Sequence, residues 1–151
     1  GAISGDHVGH SSESARQSAS DSGVMQTFLP GTPYILGHNL ETPLRQCIEN
    51  NWPFSLATDF NPNCRTLSMP FVGSLATHRL GLSPIEALVA VTRNPATTLL
   101  NSTPGQQVTG SIREGGPADL LILDSQYIDA WCQMPGDNPI YRTIKSGDIV
   151  N

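Results

Sequence analysis

The feature that most restricts this fold is an alternation in the first two thirds of the chain. Short apolar runs (a possible strand end at Ala2-Ile3-Ser4, then Val24 to Leu29 and Phe54 to Thr58) alternate with segments patterned as helices. Ser11 or Ser12 can cap a helix that carries Glu13 and Arg16 and stops at Gly23. After the strand ending at Pro30-Gly31, Thr32-Pro33-Tyr34 reads as loop. Leu44, Cys47 and Ile48 share a helical face within Pro43 to Asn50, which Trp52-Pro53 ends, and the strand from Phe54 halts at Asp59. Met69 to Leu80 reads as a buried helix followed by Gly81. Ser83-Pro84-Ile85-Glu86 is a capping box with Pro at the first helical position, opening a helix that runs to Arg93. Pro95 predicts a break before a last turn at Ala96 to Leu100.

From Asn101 the texture changes. Gly110 to Gly116 is turn-rich, Leu120 to Leu123 is a strand, and Tyr141 to Ile144 with Asp148 to Val150 reads as a hairpin closed by Ser146-Gly147. Two and a half βα units thus precede a short all-β tail, with the boundary near residues 101–109. Such units imply an α/β fold with parallel pairing, and parallel strands need both faces and both edges covered. A complete (β/α)8 barrel takes about 250 residues, and this chain has 151. The pattern therefore predicts the last part of a larger barrel, with residues 1–100 as its final βα units and 101–151 as a separate β segment.

Charge narrows the partners. The formal net charge is −5 and Lys145 is the one lysine, so no basic patch exists for nucleic acid or an anionic membrane. No apolar run approaches the roughly 18 residues of a membrane span. Gly1 to His10 has neither a basic nor an apolar region of the kind a signal peptide needs. Cys47, Cys64 and Cys132 are odd in number and far apart, which predicts reduced, half-buried structural thiols and a cytoplasmic location.

Two side chains could carry chemistry. Asp59 follows a buried strand, at the end that is catalytic in barrels, and its hard oxygens suit a divalent metal or proton transfer. The alternative is an Asp capping the turn at Asn61-Pro62. His7 follows the first strand, where an imidazole can polarise a carbonyl or move a proton; equally, it can be a solvated loop residue. His10, His38 and His78 lack partners at ligand spacing and read as structural. HxH, HExxH, GxSxG, GxGxxG and P-loop patterns are all missing from the sequence.

Asp6-His7, Leu29-Pro30-Gly31-Thr32 and Ala57-Thr58-Asp59-Phe60-Asn61-Pro62 together resemble the C-terminal half of the imidazolonepropionase family, within the amidohydrolase superfamily. Ser68-Met69-Pro70, the helix from Ser83 to Asn94, and Gly110 to Gly115 with Ala118-Asp119-Leu120 extend the resemblance over nearly the whole chain; Cys132 to Asn138 fits it least. The resemblance implies the end of a TIM-like metal-dependent hydrolase barrel plus strands of a small β-sandwich. The implied activity opens the cyclic amide of 4-imidazolone-5-propanoate to N-formimidoyl-L-glutamate, in histidine degradation.

Carried over position by position, Asp59 becomes the metal ligand and proton shuttle of strand 8 and His7 the histidine of strand 6. Asn61, Asn63 and Cys64 fall on the loop that grips the propionate. Asn63 and Cys64 depart from the Gly and Ser or Thr common there, and a thiol donates more weakly than a hydroxyl. The implied cofactor is one divalent ion, Zn or Fe, whose other ligands lie outside this chain. The implied partners are the small-molecule substrate and, for the whole enzyme, a second subunit in a homodimer. Another amidohydrolase, such as a deaminase or cyclic amidase, and a non-catalytic fragment are the alternatives.

Overall fold

The computed structural model describes residues 1–40, 42–102 and 109–151. The first strand, β1 (Ser4–Asp6), gives way through a short 3-10 turn to α1 (Glu13–Asp21). Ser12 caps that helix by accepting the Ala15 N–H, and Gly23 follows in the left-handed region. Next come β2 (Met25–Phe28), α2 (Gly31–Ile35), α3 (Leu44–Glu49) and β3 (Phe54–Leu56). Strands β1, β2 and β3 form a parallel sheet in that order, as the alternation predicted. β1 lies two residues later than the sequence suggested, so His7 follows it directly.

β2 and β3 are buried along their whole length. Their Phe28 and Phe54 rings meet edge to face at 6.3 Å, and with Leu56 they pack on the helices that follow. The first of these, α4 (Met69–His78), buries Val72, Leu75 and Ala76. The second, α5 (Pro84–Val91), starts at the predicted capping box: the Ser83 hydroxyl accepts the Glu86 N–H at 3.2 Å, and Glu86 accepts the Ser83 N–H at 2.7 Å. Arg45 Nη1 donates to both oxygens of the same carboxylate, each at 3.0 Å.

The second sheet is antiparallel, in the order β4 (Leu120–Leu123), β5 (Ile140–Lys145), β6 (Asp148–Ile149). Its hairpin turns on Ser146 and Gly147, both with positive φ, as a two-residue turn of the type that matches strand twist. Asp119 braces that turn from the start of β4, accepting the Ser146 N–H at 2.9 Å and pairing with Lys145. A four-residue helix, α7 (Ala130–Gln133), ties this half to α4. Trp131 donates its indole N–H to the Pro84 carbonyl at 3.0 Å and packs against Gly73. A Cβ at residue 73 would come within 2.3 Å of the indole, so glycine is required for this contact.

Several expectations need correction. Thr32-Pro33-Tyr34 is part of α2, not loop: Pro33 sits in the first turn, where no N–H partner is needed. The break after α5 falls at Thr92, ahead of Pro95. The helix that follows, α6 (Arg93–Ser102), is a full element of 10 residues with Pro95 in its first turn. Cys47, Cys64 and Cys132 are fully buried, not half-buried. α7 was not anticipated, because four residues cannot show a helical period. The expected boundary at 101–109 lies mostly at residues 103–108, outside the described residues. Among the described residues no helix is long and apolar enough to cross a membrane.

Candidate functional site

Each parallel strand ends by delivering one polar side chain to the same edge of the sheet. His7 comes directly after β1, Thr32 from the start of α2 after β2, and Asp59 from the turn after β3. His7 Nε2 stands 3.7 Å from Asp59 Oδ1. The other carboxylate oxygen, Oδ2, accepts the Thr32 hydroxyl proton at 2.6 Å. The His7 side chain is 67% exposed and that of Asp59 only 16%, so the imidazole faces solvent and the carboxylate is held inside. Thus the imidazole and the carboxylate, remote in sequence, converge.

Both residues have positive φ, 57° at His7 and 54° at Asp59. Non-glycine residues enter this left-handed region at a cost, and such strain gathers where a side chain must be aimed. At Asp59 it turns the chain out of the strand, and the loop beyond is held by one amide. Asn61 Nδ2 donates to Thr32 Oγ1 at 2.9 Å and to the Asp59 carbonyl at 2.6 Å. Asn61 Oδ1 accepts the backbone N–H groups of Asn63 at 2.8 Å and Cys64 at 3.2 Å. The side chain that follows the carboxylate by two residues is therefore fully engaged, within its own loop and with Thr32 of α2.

Cys64 closes the loop through paired backbone bonds with Asn61, both 3.1 Å. Its buried thiol sits 3.8 Å from the Thr58 carbonyl and against Gly31, where a Cβ would lie 3.0 Å from the sulfur. Asn63 is exposed on the outer side. Of the five residues proposed from sequence, four meet through direct contacts: His7 with Asp59, then Asn61 and Cys64 through the loop. Asn63 joins them by its backbone.

Thr32 was missed as a site residue. Its signal was its position, four residues after the last residue of a buried strand, and the loop reading of Thr32-Pro33-Tyr34 obscured it. A cavity of about 290 Å3 opens beside His7 and Thr32, bounded also by His10, Phe28, Leu36 and His38 but not by Asp59. His10 and His38, expected to be structural, thus line the same cavity as His7. A larger apolar cavity of about 980 Å3 lies between Met69, Leu88 and Trp131 on one side and Leu121 and Ile140 on the other, and it includes neither His7 nor Asp59.

An imidazole nitrogen and a carboxylate oxygen are a donor set suited to zinc or iron, and the half-buried carboxylate offers Oδ1. Among the described residues, no group of three or more His, Cys, Asp or Glu could hold a metal. A closed metal site would need ligands beyond this donor pair. Cys47 and Cys132 are held as thiols. Burial pushes the Cys47 thiol up to about 11, against a smaller opposing effect of Arg16, and burial likewise raises Cys132.

The amidohydrolase family profile matches residues 15–150. The chain is 36% identical to the imidazolonepropionase of Haloarcula marismortui, over 100% of this chain and 35% of that protein. It is 36% identical to that of Geobacillus thermodenitrificans, over 99% of this chain and 34% of that protein. It therefore spans about a third of the length of these relatives. Among solved structures, a zinc-bound adenosine deaminase from Xanthomonas campestris superposes with TM-score 0.78 at 18% identity, over 97% of this chain and 36% of that one. The E. coli guanine deaminase superposes with TM-score 0.76 at 22% identity, over 98% and 38%. These structures share the α/β fold.

Proposed function

The chain belongs to the amidohydrolase family, and from that premise we propose that it is the C-terminal part of a longer, metal-dependent imidazolonepropionase. The reaction is hydrolysis of the cyclic amide of 4-imidazolone-5-propanoate to N-formimidoyl-L-glutamate, in histidine degradation. One observation carries this reading: His7 and Asp59 approach to 3.7 Å at the C-terminal ends of parallel strands, the edge where barrel enzymes keep their chemistry. The imidazolonepropionase relatives at 36% identity support the choice of substrate.

In this reading residues 1–100 are the last βα units of a (β/α)8 barrel, and 101–151 are strands of a β-sandwich completed elsewhere in the polypeptide. Asp59 holds one divalent ion, zinc or iron, together with ligands from outside this chain. That ion supplies Lewis acidity, which makes water a competent nucleophile near neutral pH. Asp59 would take up one proton of the attacking water. A C–O bond forms at the ring carbonyl, the ring C–N bond breaks, and the same proton passes to the departing nitrogen. His7, within reach of Asp59 and open to the cavity, donates a hydrogen bond to the carbonyl oxygen as negative charge builds there. On the loop of Asn61, Asn63 and Cys64, the exposed Asn63 amide is the donor that receives the propionate carboxylate, with Asn61 and Cys64 holding the loop in shape. The whole enzyme is a cytoplasmic homodimer.

The test is steady-state turnover by the full-length protein. We expect hydrolysis of 4-imidazolone-5-propanoate and no release of ammonia from guanine or cytosine. The reverse outcome moves the assignment to a deaminase, the reading that the guanine deaminase superposition favours. An upstream coding sequence without an HxH pair would instead support a non-catalytic protein.

A further inference from the structure

The Thr32 hydroxyl takes no part in the chemistry set out above, yet it joins the carboxylate to the loop. It donates to Asp59 Oδ2 at 2.6 Å and accepts from Asn61 Nδ2 at 2.9 Å. A hydroxyl carries a single proton, and with an amide N–H on its acceptor side that proton is committed to the carboxylate. The acceptor side is fixed just as firmly, because the rest of the Asn61 amide is engaged with the Asp59 carbonyl and the N–H groups of Asn63 and Cys64. The two oxygens of Asp59 are thereby made unlike. Oδ2 is anchored, and Oδ1 faces His7 Nε2 at 3.7 Å.

Asp59 needs such an anchor. It sits in a turn beyond β3 and not in the sheet ladder, and rotation about the bond to a carboxyl group is soft. Thr32 is carried by a helix that starts three residues after β2, so it takes its place from the sheet and not from the mobile end of a side chain. We propose that Thr32 is a positioning residue: its hydroxyl holds the plane of the Asp59 carboxylate so that Oδ1 is the oxygen turned toward the metal. This rests on the reading of Asp59 as the metal-binding carboxylate. It also makes the propionate loop and the metal carboxylate one hydrogen-bonded unit, through Asn61.

The experiment uses the full-length protein as wild type, Thr32→Val and Thr32→Ser. Zinc affinity is measured by competition with a chelator, and kcat and KM are measured separately on 4-imidazolone-5-propanoate. Thr32→Val keeps the shape and loses the donor, and we expect zinc affinity and kcat each to fall roughly 10- to 100-fold, with KM changed by less than about threefold. Thr32→Ser restores both to within about threefold of wild type. Should Thr32→Val fail to fold by circular dichroism, Thr32→Ala serves as the donor-free variant against Thr32→Ser. Zinc affinity unchanged by loss of the hydroxyl overturns the proposal. So does a Ser variant that falls as far as Val, or a wild-type protein that binds no zinc. A wild type that binds zinc without turning over the substrate sinks the assigned reaction alone, and the ratio of zinc affinities still decides the role of Thr32.

Discussion

The parallel sheet β1–β3 and the antiparallel sheet β4–β6 have three strands each, but their surroundings differ. In the first, β2 and β3 are buried throughout, and Phe28, Phe54 and Leu56 pack on α4 and α5 within one core. In the second, Leu121 and Ile122 point to opposite faces of β4 and both are exposed, at 61% and 44%, as are Ile149 and Val150. β4 is also an edge strand. The lesson concerns where stability and chemistry come from. The parallel sheet gains its helical cover from its own connections, because a parallel crossover must bring a helix with it. The antiparallel sheet gains no cover from its tight hairpin, and so it keeps apolar faces open and a large cavity beneath β4. The site residues lie at the end of the sheet in which β2 and β3 are buried throughout, though β1, which precedes His7, is itself an exposed edge.

The contrast can be broken most sharply by the 151-residue chain on its own. With uncovered faces and an open edge it is expected to aggregate or to melt without cooperativity, and Leu121→Lys is expected to raise its soluble fraction. Light scattering and thermal melting check this, and a cooperative monomeric melt would end the contrast. In the full-length protein, Asp59→Asn removes the acceptor at the end of the buried strand. Turnover is expected to drop by about 10²- to 10⁴-fold with loss of bound metal; normal rate and metal content would take Asp59 out of the site. Phe28→Ala should cost about 3–5 kcal/mol in a denaturant melt, since the ring is 1% exposed at the centre of the parallel core. A loss near zero would mean the core lies elsewhere.

The smallest effect belongs to the helix that covers the sheet. Ser83→Ala should cost about 1 kcal/mol, through loss of the cap. The Ser83 N–H, then its hydroxyl and Arg45, hold the Glu86 carboxyl below the usual range, against a smaller opposing effect of burial. A carboxylate whose folded pKa is depressed stabilises the fold above its unfolded value of about 4.3, and that share is lost as pH falls through the lower folded value. Glu86→Gln should therefore flatten the acid limb of the stability profile; an unchanged limb would show that other carboxylates set it.

What could be read in the sequence divides along the same line. The Ser83 box and the Ser146-Gly147 turn are local features, fixed by backbone chemistry within a few residues, and they stood where the sequence put them, whereas β1 and the end of β3 shifted by two residues. The convergence of His7 and Asp59 followed from parallel topology, because strand ends of one sheet share an edge. α2 was hidden by its proline, α6 by the rule that proline ends helices, and α7 by its length. The anchoring of Oδ2 could not be read at all. It depends on the aim of the Thr32 hydroxyl across 27 positions, a distance over which no local pattern operates.

The left-handed backbone at residue 59 has a practical consequence for anyone screening substitutions there. Asparagine and glycine enter that conformation with little resistance, whereas valine or isoleucine would clash before any question of reactivity arose. A saturation library at this position would therefore sort its members first by whether the turn can form. Inactive colonies from the β-branched members would report on geometry, and the asparagine member would be the one that isolates the missing negative charge.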